Sequence, residues 1–315
     1  MLTHTFQHLY GIGERTEKRL WANGITTWEE FLQAPERTGL ALWLRDLACR
    51  ELEHSLVALE RRDAQYFSDR LPAAVQWRLY PEFGQRVGYL DIETTGPAVD
   101  VSALTVIGVY DGVHPQVYVR GKNLADFVAA IAEFTLLVTY NGKGFDLPVL
   151  RRVFNLPLAH AHIDLRSPLA ALGYKGGLKK IERTVGLERE GPLALLDGWG
   201  AVLLWQYYEA GEDAALETLL RYNLEDVIHL PALLALVYNQ RVQQLPFPVA
   251  PVQFPPPPPL PFAFSERLIY RALADMGRLE NDVEKASVLE SSPAKSARIG
   301  TEDNGNLVTS LCRLL

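Results

Sequence analysis

Four short apolar runs, RVGYLDI, LTVIGVY, QVYVR and LLVTY, succeed one another between residues 86 and 140, and helical spacing replaces them through Tyr238. Strands first and helices later are accommodated by a mixed sheet with flanking helices, so an α/β domain is predicted. Asp111 and Gly112 stand between two of the runs, where a tight turn would fold neighbouring strands into a hairpin. A helical stretch from Asn123 to Phe134 then carries the chain over to the run at 136–140. The expected sheet therefore has three antiparallel strands followed by crossover strands.

Turn signals divide the remainder of the chain. Residues 1–35 read as helices broken at Tyr10, Gly11, Ile12 and Gly13 and again at Asn23 and Gly24, similar to a single helix-hairpin-helix element. Its glycines could bring backbone amides against a phosphate, with Arg15 and Lys18 assisting, although packing against the main domain accounts for the apolar residues equally well. Residues 36–80 form a helical connector, with Leu44, Leu47, Ala48, Leu52, Leu56 and Leu59 at the spacing of one long helix from Leu40 to Phe67. The α/β domain occupies 81–245. Residues 246–261 are a proline-rich linker whose five prolines at 255–259 favour a stiff polyproline II spacer, a tether or else a docking peptide for a partner protein. The tail, 262–315, reads as weakly ordered apart from one helix from Ser265 to Leu279.

Composition limits the function classes. With 31 Lys and Arg against 38 Asp and Glu, the net charge of −7 argues against a protein that coats nucleic acid through overall positive charge. A local site built on bound cations and a few basic residues is compatible with it. No apolar run approaches the ~20 residues of a membrane helix, and the opening MLTHTFQHLYG lacks a signal-peptide pattern, so a cytoplasmic location without a membrane segment is expected. Cys49 and Cys312 are too few and too far apart to suggest a disulfide framework or a thiolate zinc site.

Three segments carry acidic residues in a chemically pointed arrangement. In GYLDIETTG, residues 88–96, Asp91 and Glu93 end an apolar run; side chains two apart on a strand share a face, so both carboxylates converge at the strand end. Bare like charges this close raise one another's pKa, which makes best sense around a cation, the other reading being a solvated pair in a loop. In TYNGKGFDLPVL, residues 139–150, Asp146 falls where a helix N-cap is expected, and capping is its alternative role. In RYNLEDVIHLPAL, residues 221–233, Tyr222 and Asp226 share one helical face, and the apolar neighbours imply a largely buried helix in which an ionised Asp requires a partner or a metal.

In that order the segments resemble the Exo I, Exo II and Exo III motifs of DEDD exonucleases over about residues 84–240. They are most similar to predicted 3′-5′ exonucleases of the YprB-type ribonuclease H-like family, related to the proofreading domain of family B DNA polymerases. The resemblance implies that Asp91, Glu93, Asp146 and Asp226 hold two Mg²⁺ or Mn²⁺ ions and hydrolyse phosphodiester bonds by a two-metal mechanism. Tyr222, four residues before Asp226, matches the tyrosine-type subfamily; Arg221 holds the position that the histidine type would use, and His229 follows the Asp. A phenol, with a pKa of about 10, is a poor base at neutral pH, so Tyr222 is expected to orient the attacking water.

Asn141, Lys143, Lys179, Lys180 and Arg183 are candidate substrate-binding residues: Asn141 could instead simply form its turn, and the basic helix after Gly176 and Gly177 could cradle a phosphate or present a solvated face. Asp164 in HIDL could support the site without touching the ions. The expected partner is a single-stranded nucleic acid end, DNA or RNA remaining open. A structure-selective endonuclease and a catalytically silent nucleic-acid-binding scaffold are the competing readings; the scaffold would show a missing acid or altered Exo III spacing, and the sequence has neither.

Overall fold

A computed structural model of the protein describes residues 1–96 and 103–277. Its centre is a five-stranded sheet of β1 (Val87–Thr94), β2 (Leu104–Tyr110), β3 (Pro115–Val119), β4 (Leu136–Thr139) and β5 (Ala161–Asp164), in the order β3-β2-β1-β4-β5. The first three strands pair antiparallel, and β4 and β5 add in parallel, which is the mixed sheet predicted from the runs. The β2–β3 connection turns on Gly112, at φ +97°, while the Asp111 carboxylate accepts the amides of Val113 and His114. Among the described residues no helix is long and apolar enough to cross a membrane.

The helices before the sheet are α1 (Glu14–Ala22), α2 (Trp28–Gln33), α3 (Leu42–Glu60), α4 (Ala64–Arg70) and α5 (Tyr80–Phe83). Those after β3 are α6 (Phe127–Ile131), α7 (Asp146–Phe154), α8 (Arg166–Ala171), α9 (Leu178–Thr184), α10 (Gly198–Glu209), α11 (Asp213–Ile228), α12 (Leu230–Val242) and α13 (Glu266–Asp275). Strand alternation sorts the sheet's side chains onto two faces. Leu90, Ile92, Ile107, Val109 and Leu137 pack with residues of α6 and α7. The opposite face of β1 and β2 lies beneath α11.

That packing is unusually close at one point. Gly108 of β2 pairs in register with Asp91, and a Cβ at this position would lie 2.1 Å from Asn223 Oδ1 and 3.1 Å from Val227 Cγ2 of α11. Only a residue without a side chain lets the helix settle this near the strand.

The connector is two helices where the sequence predicts one. The chain leaves α3 through Arg62 in the left-handed region, φ +55°, and Asp63 then caps α4 by accepting the Tyr66 amide at 3.0 Å. Glu17 fastens residues 1–35 to the segment that leads into the sheet. Its buried carboxylate accepts the Phe6 amide (2.8 Å), the Gln7 side chain (2.6 Å) and both ends of the Arg78 guanidinium (2.8 and 3.0 Å). At the glycine hairpin, the Tyr10 amide donates to Glu51 of α3 at 2.8 Å.

The proline-rich stretch, read from sequence as a spacer, runs against the domain: Asn239 exchanges two hydrogen bonds with Val252, and the Phe254 ring packs on Tyr80 and Tyr89. The helix expected from Ser265 is α13, capped by Ser265; Leu268, Ile269, Ala272 and Leu273 bury one face of it with residues of α10 and α11. The helix ends at Asp275, short of the expected Leu279, because Gly277 turns the chain through the left-handed region at φ +67°; residues 278–315, Cys312 among them, lie outside the described residues.

Replacing Gly108 by Ala should push α11 away from the sheet and cost about 1–3 kcal/mol, the range for overpacking a close contact. Thermal unfolding of G108A checks this; an unchanged melting temperature would contradict the packing described.

Candidate active site

The carboxyl end of β1 presents Asp91 and Glu93 on the face covered by α11, and α11 contributes Tyr222, Asn223 and Asp226. One oxygen each from Asp91, Glu93 and Asp226 lie within 4.8 Å of one another, so acids more than 130 positions apart in sequence form one cluster. Asp146 is buried at the first position of α7, with Phe145 as the N-cap residue; it lies near enough to Asp226 to feel its charge but is not one of the three acids that converge.

Packing these charges together is electrostatically costly. Burial, reinforced by Asp226, pushes Glu93 from 4.5 up to about 8, and burial raises Asp146 from 3.8 to about 7. Asp91 is also raised, by burial first and then by Asp226, Asp146 and Glu93. Asn223 Nδ2 donates to Asp91 at 3.0 Å and so offsets part of the cost.

Further compensation comes from Arg189, on the loop after α9. Its guanidinium forks onto Glu182 at 2.7 and 2.9 Å and also donates to Asp226. Glu182 in turn is bonded to His229 Nδ1 at 3.0 Å, so His229 belongs to this hydrogen-bond chain and not to the acid cluster. Arg221 points elsewhere, to Glu190, Glu225 and the Phe262 carbonyl.

Tyr222 is buried, and its phenol is raised well above its ordinary value by burial and then by Asp226 and Glu93. Lys179 donates to the Tyr222 oxygen at 3.0 Å and sits 4.2 Å from the ring centre, while also bonding the Leu196 carbonyl. Burial lowers the Lys179 ammonium to about 8. Among the candidate substrate-binding Lys and Arg residues, Lys179 joins the site, through Tyr222, whereas Lys143, Lys180 and Arg183 are exposed.

Asp164, at the end of β5, clamps the turn that follows β4. It accepts the amides of Asn141 (2.8 Å), Lys143 (3.1 Å) and Arg166 (3.0 Å), holding Asn141 in the left-handed region at φ +69°. Asn is among the few non-glycine residues that adopt this region readily, and the Asp164 bonds to the Asn141 and Lys143 amides hold the turn in it. The Asn141 side chain accepts from Arg166, away from the acid cluster.

The pocket over the acids has a volume of about 410 Å³; beside Asp91, Glu93, Tyr222 and Asp226, its walls include Phe145 and Trp199. Trp199, at the start of α10, is half exposed. Nothing in the sequence distinguished Trp199 or Arg189, because each is brought to the acids from another element. The signal that could have found Asn223 was its place between Tyr222 and Asp226 on a buried helix.

The donor set suits a hard divalent cation: oxygen ligands only, convergent, and destabilised as bare charges. Residues 88–238 match the family model described as RNase_H_2, RNase_H superfamily. The five-stranded mixed sheet with its flanking helices is consistent with a ribonuclease H-like fold, the fold expected from the motifs. A solved structure similar to this chain is that of the family B DNA polymerase from the hyperthermophilic archaeon Pyrobaculum calidifontis, with 20% identity and a TM-score of 0.40. The similarity covers 51% of this chain and 26% of the polymerase. No curated protein matches the chain.

Acids with raised folded-state pKa values bind protons more readily folded than unfolded. Without a cation, the fold should therefore lose stability as pH rises from about 4 toward about 8, the window set by Glu93 and Asp146. A cation opposes that loss, and protons compete with it. Saturating Mn²⁺ should raise Tm more at about pH 8 than at about pH 5, and a variant carrying Glu93→Gln and Asp226→Asn should lose the increment. Equal Tm with and without Mn²⁺ at both pH values would show that no ion is held.

Proposed function

We propose that the protein is a metal-dependent nuclease that removes nucleotides from the 3′ end of single-stranded nucleic acid. The observation that carries this reading is the convergence of Asp91, Glu93 and Asp226 in one buried cluster on a ribonuclease H-like sheet. Asp91, Glu93 and Asp226 would hold the divalent ions, with Asp146 completing the set. Two Mg²⁺ or Mn²⁺ ions bound there would supply Lewis acidity, making water a better nucleophile and stabilising the charge that develops on the departing 3′ oxygen.

The chain's own groups have separable tasks. Because Lys179 donates to the Tyr222 oxygen, the phenolic proton is left to point into the pocket. A phenol raised above its ordinary pKa keeps that proton, so Tyr222 orients the attacking water by donating to it and does not act as the base. Arg189 fixes the rotamer of Asp226 and tempers the repulsion within the cluster. The flat faces of Trp199 and Phe145 offer a stacking surface for the terminal base, whose removal requires that it be held clear of its neighbours.

The decisive assay uses end-labelled single-stranded DNA and RNA with Mn²⁺ or with EDTA. Asp91→Asn should lower the rate by more than ~100-fold, because losing a ligand costs more than losing one of its outer partners. Tyr222→Phe should slow turnover by roughly 10² while leaving the Mn²⁺-induced rise in Tm intact. Hydrolysis that survives EDTA would remove the metal-dependent reading, and hydrolysis unaffected by a blocked 3′ end would replace exonuclease by endonuclease.

Trp199→Ala should reduce kcat/KM by roughly 5- to 150-fold on an ordinary 3′ terminus, the range of one base-stacking contact. On a substrate whose terminal nucleotide is abasic the same substitution should have little effect. Equal losses on both substrates would show that Trp199 does not stack on the base.

A further inference from the structure

A second cavity, of about 550 Å³, opens beside the acidic pocket. Its walls include Tyr140, Asn141, Arg166, Tyr174, Lys175 and Gly176, two phenol rings and two cations with no acidic side chain among them. In a chain of net charge −7 the walls thus present two cations, with the buried Asp164 carboxylate turned to the backbone amides of Asn141 and Arg166 behind them. Arg166 and Lys175 are exposed, and neither has a salt-bridge partner among the described residues; the Arg166 side chain bonds only the neutral Asn141 amide oxygen.

The rings are held in place. Tyr174 accepts from Gln240 at 3.2 Å, and the Tyr140 hydroxyl donates to the Gly176 carbonyl, tying the end of β4 to the glycine turn before α9. Gly176 itself is at φ +126°, and a Cβ there would lie 2.8 Å from Lys180 Cδ. Side chains fixed in this way present faces without having to be ordered on binding.

One turn of the chain links the linings of the cavity and the acidic pocket. Asn141 lines the first and Phe145 the second, and the intervening turn is closed by the Gly144 amide on the Asn141 carbonyl at 3.2 Å. Such a turn keeps its first and fourth Cα atoms within ~7 Å, so Asn141 and Phe145 are no more than about 11 Å apart. Both openings lie along the same carboxyl edge of the parallel strands.

We infer that this cavity binds the substrate strand a few nucleotides inward from the cleaved bond. Bases stack on Tyr140 and Tyr174, while phosphates are neutralised by Arg166 and Lys175, the combination that recognises single strands without reading sequence. The inference rests on the nuclease reading for the direction of the strand, yet its binding component can be measured without catalysis.

The probe is a fluorescein-labelled 12-mer oligothymidylate, followed by fluorescence anisotropy in EDTA across a salt series. Lys175→Ala, at an exposed position, should weaken binding severalfold and reduce the salt slope by about 0.7, the value for one contact to a single strand. Tyr174→Leu, which keeps the apolar packing, should weaken binding at least about fivefold with no change in slope, because stacking releases no counterions. In Mn²⁺, both variants should lower the ratio of kcat/KM for the 12-mer to that for a dinucleotide, which is too short to reach the cavity. Unchanged 12-mer affinity in both variants, or an equal fall on 12-mer and dinucleotide, would overturn the subsite. Should the wild-type protein hydrolyse neither substrate, the nuclease reading fails, and the anisotropy series still decides whether the cavity holds a single strand.

Discussion

The close seating of α11 on β1 and β2 is the contact on which the rest of this structure depends. Gly108 removes the one side chain that would hold the helix off, and the helix then carries Asp226 and Tyr222 onto the acids at the end of β1. The same contact creates the molecule's main electrostatic liability, since like charges are pressed together out of water. Such an arrangement is retained where a cation completes it, and a chain selected only for stability would replace these acids with apolar groups of similar size.

The surroundings read as partial compensation. Arg189 spans Glu182 and Asp226, Asn223 donates to Asp91, and Lys179 holds Tyr222 from the far side. Two of these supports come from α9 and the loop after it, a segment outside the sheet, so the site depends on how that segment docks. The appended parts are likewise built into the domain. Glu17 and Arg78 join the first helices to the segment before the sheet, and α13 covers α10 and α11. A carboxylate with four donors in a buried position leaves little freedom for residues 1–35 to act as an independent module.

Much of the fold was legible because it rests on local periodicity. The apolar runs, the Asp111–Gly112 turn and the crossover into β4 predicted three antiparallel strands followed by crossover strands, and the two-residue spacing of Asp91 and Glu93 predicted their shared face. The four-residue spacing of Tyr222 and Asp226 did the same for α11. Periodicity misled where a short break interrupts a helical pattern: Arg62 and Asp63 divide the connector although the leucines continue on either side. It was also too weak to show where the Pro-rich stretch lies, since prolines set a conformation without naming the surface it packs on.

The sequence by itself determined which side chains point together within one element, because strand and helix geometry are local consequences of backbone sterics. Tertiary structure alone decided which of those faces meet. Arg189 reaching Asp226, Trp199 standing over the acids and the pairing of Tyr140 with the glycine turn are products of helix docking, set by side-chain volumes at contacts such as Gly108. No periodicity encodes such encounters, since the partners lie far apart in the chain and share only the space into which they are packed.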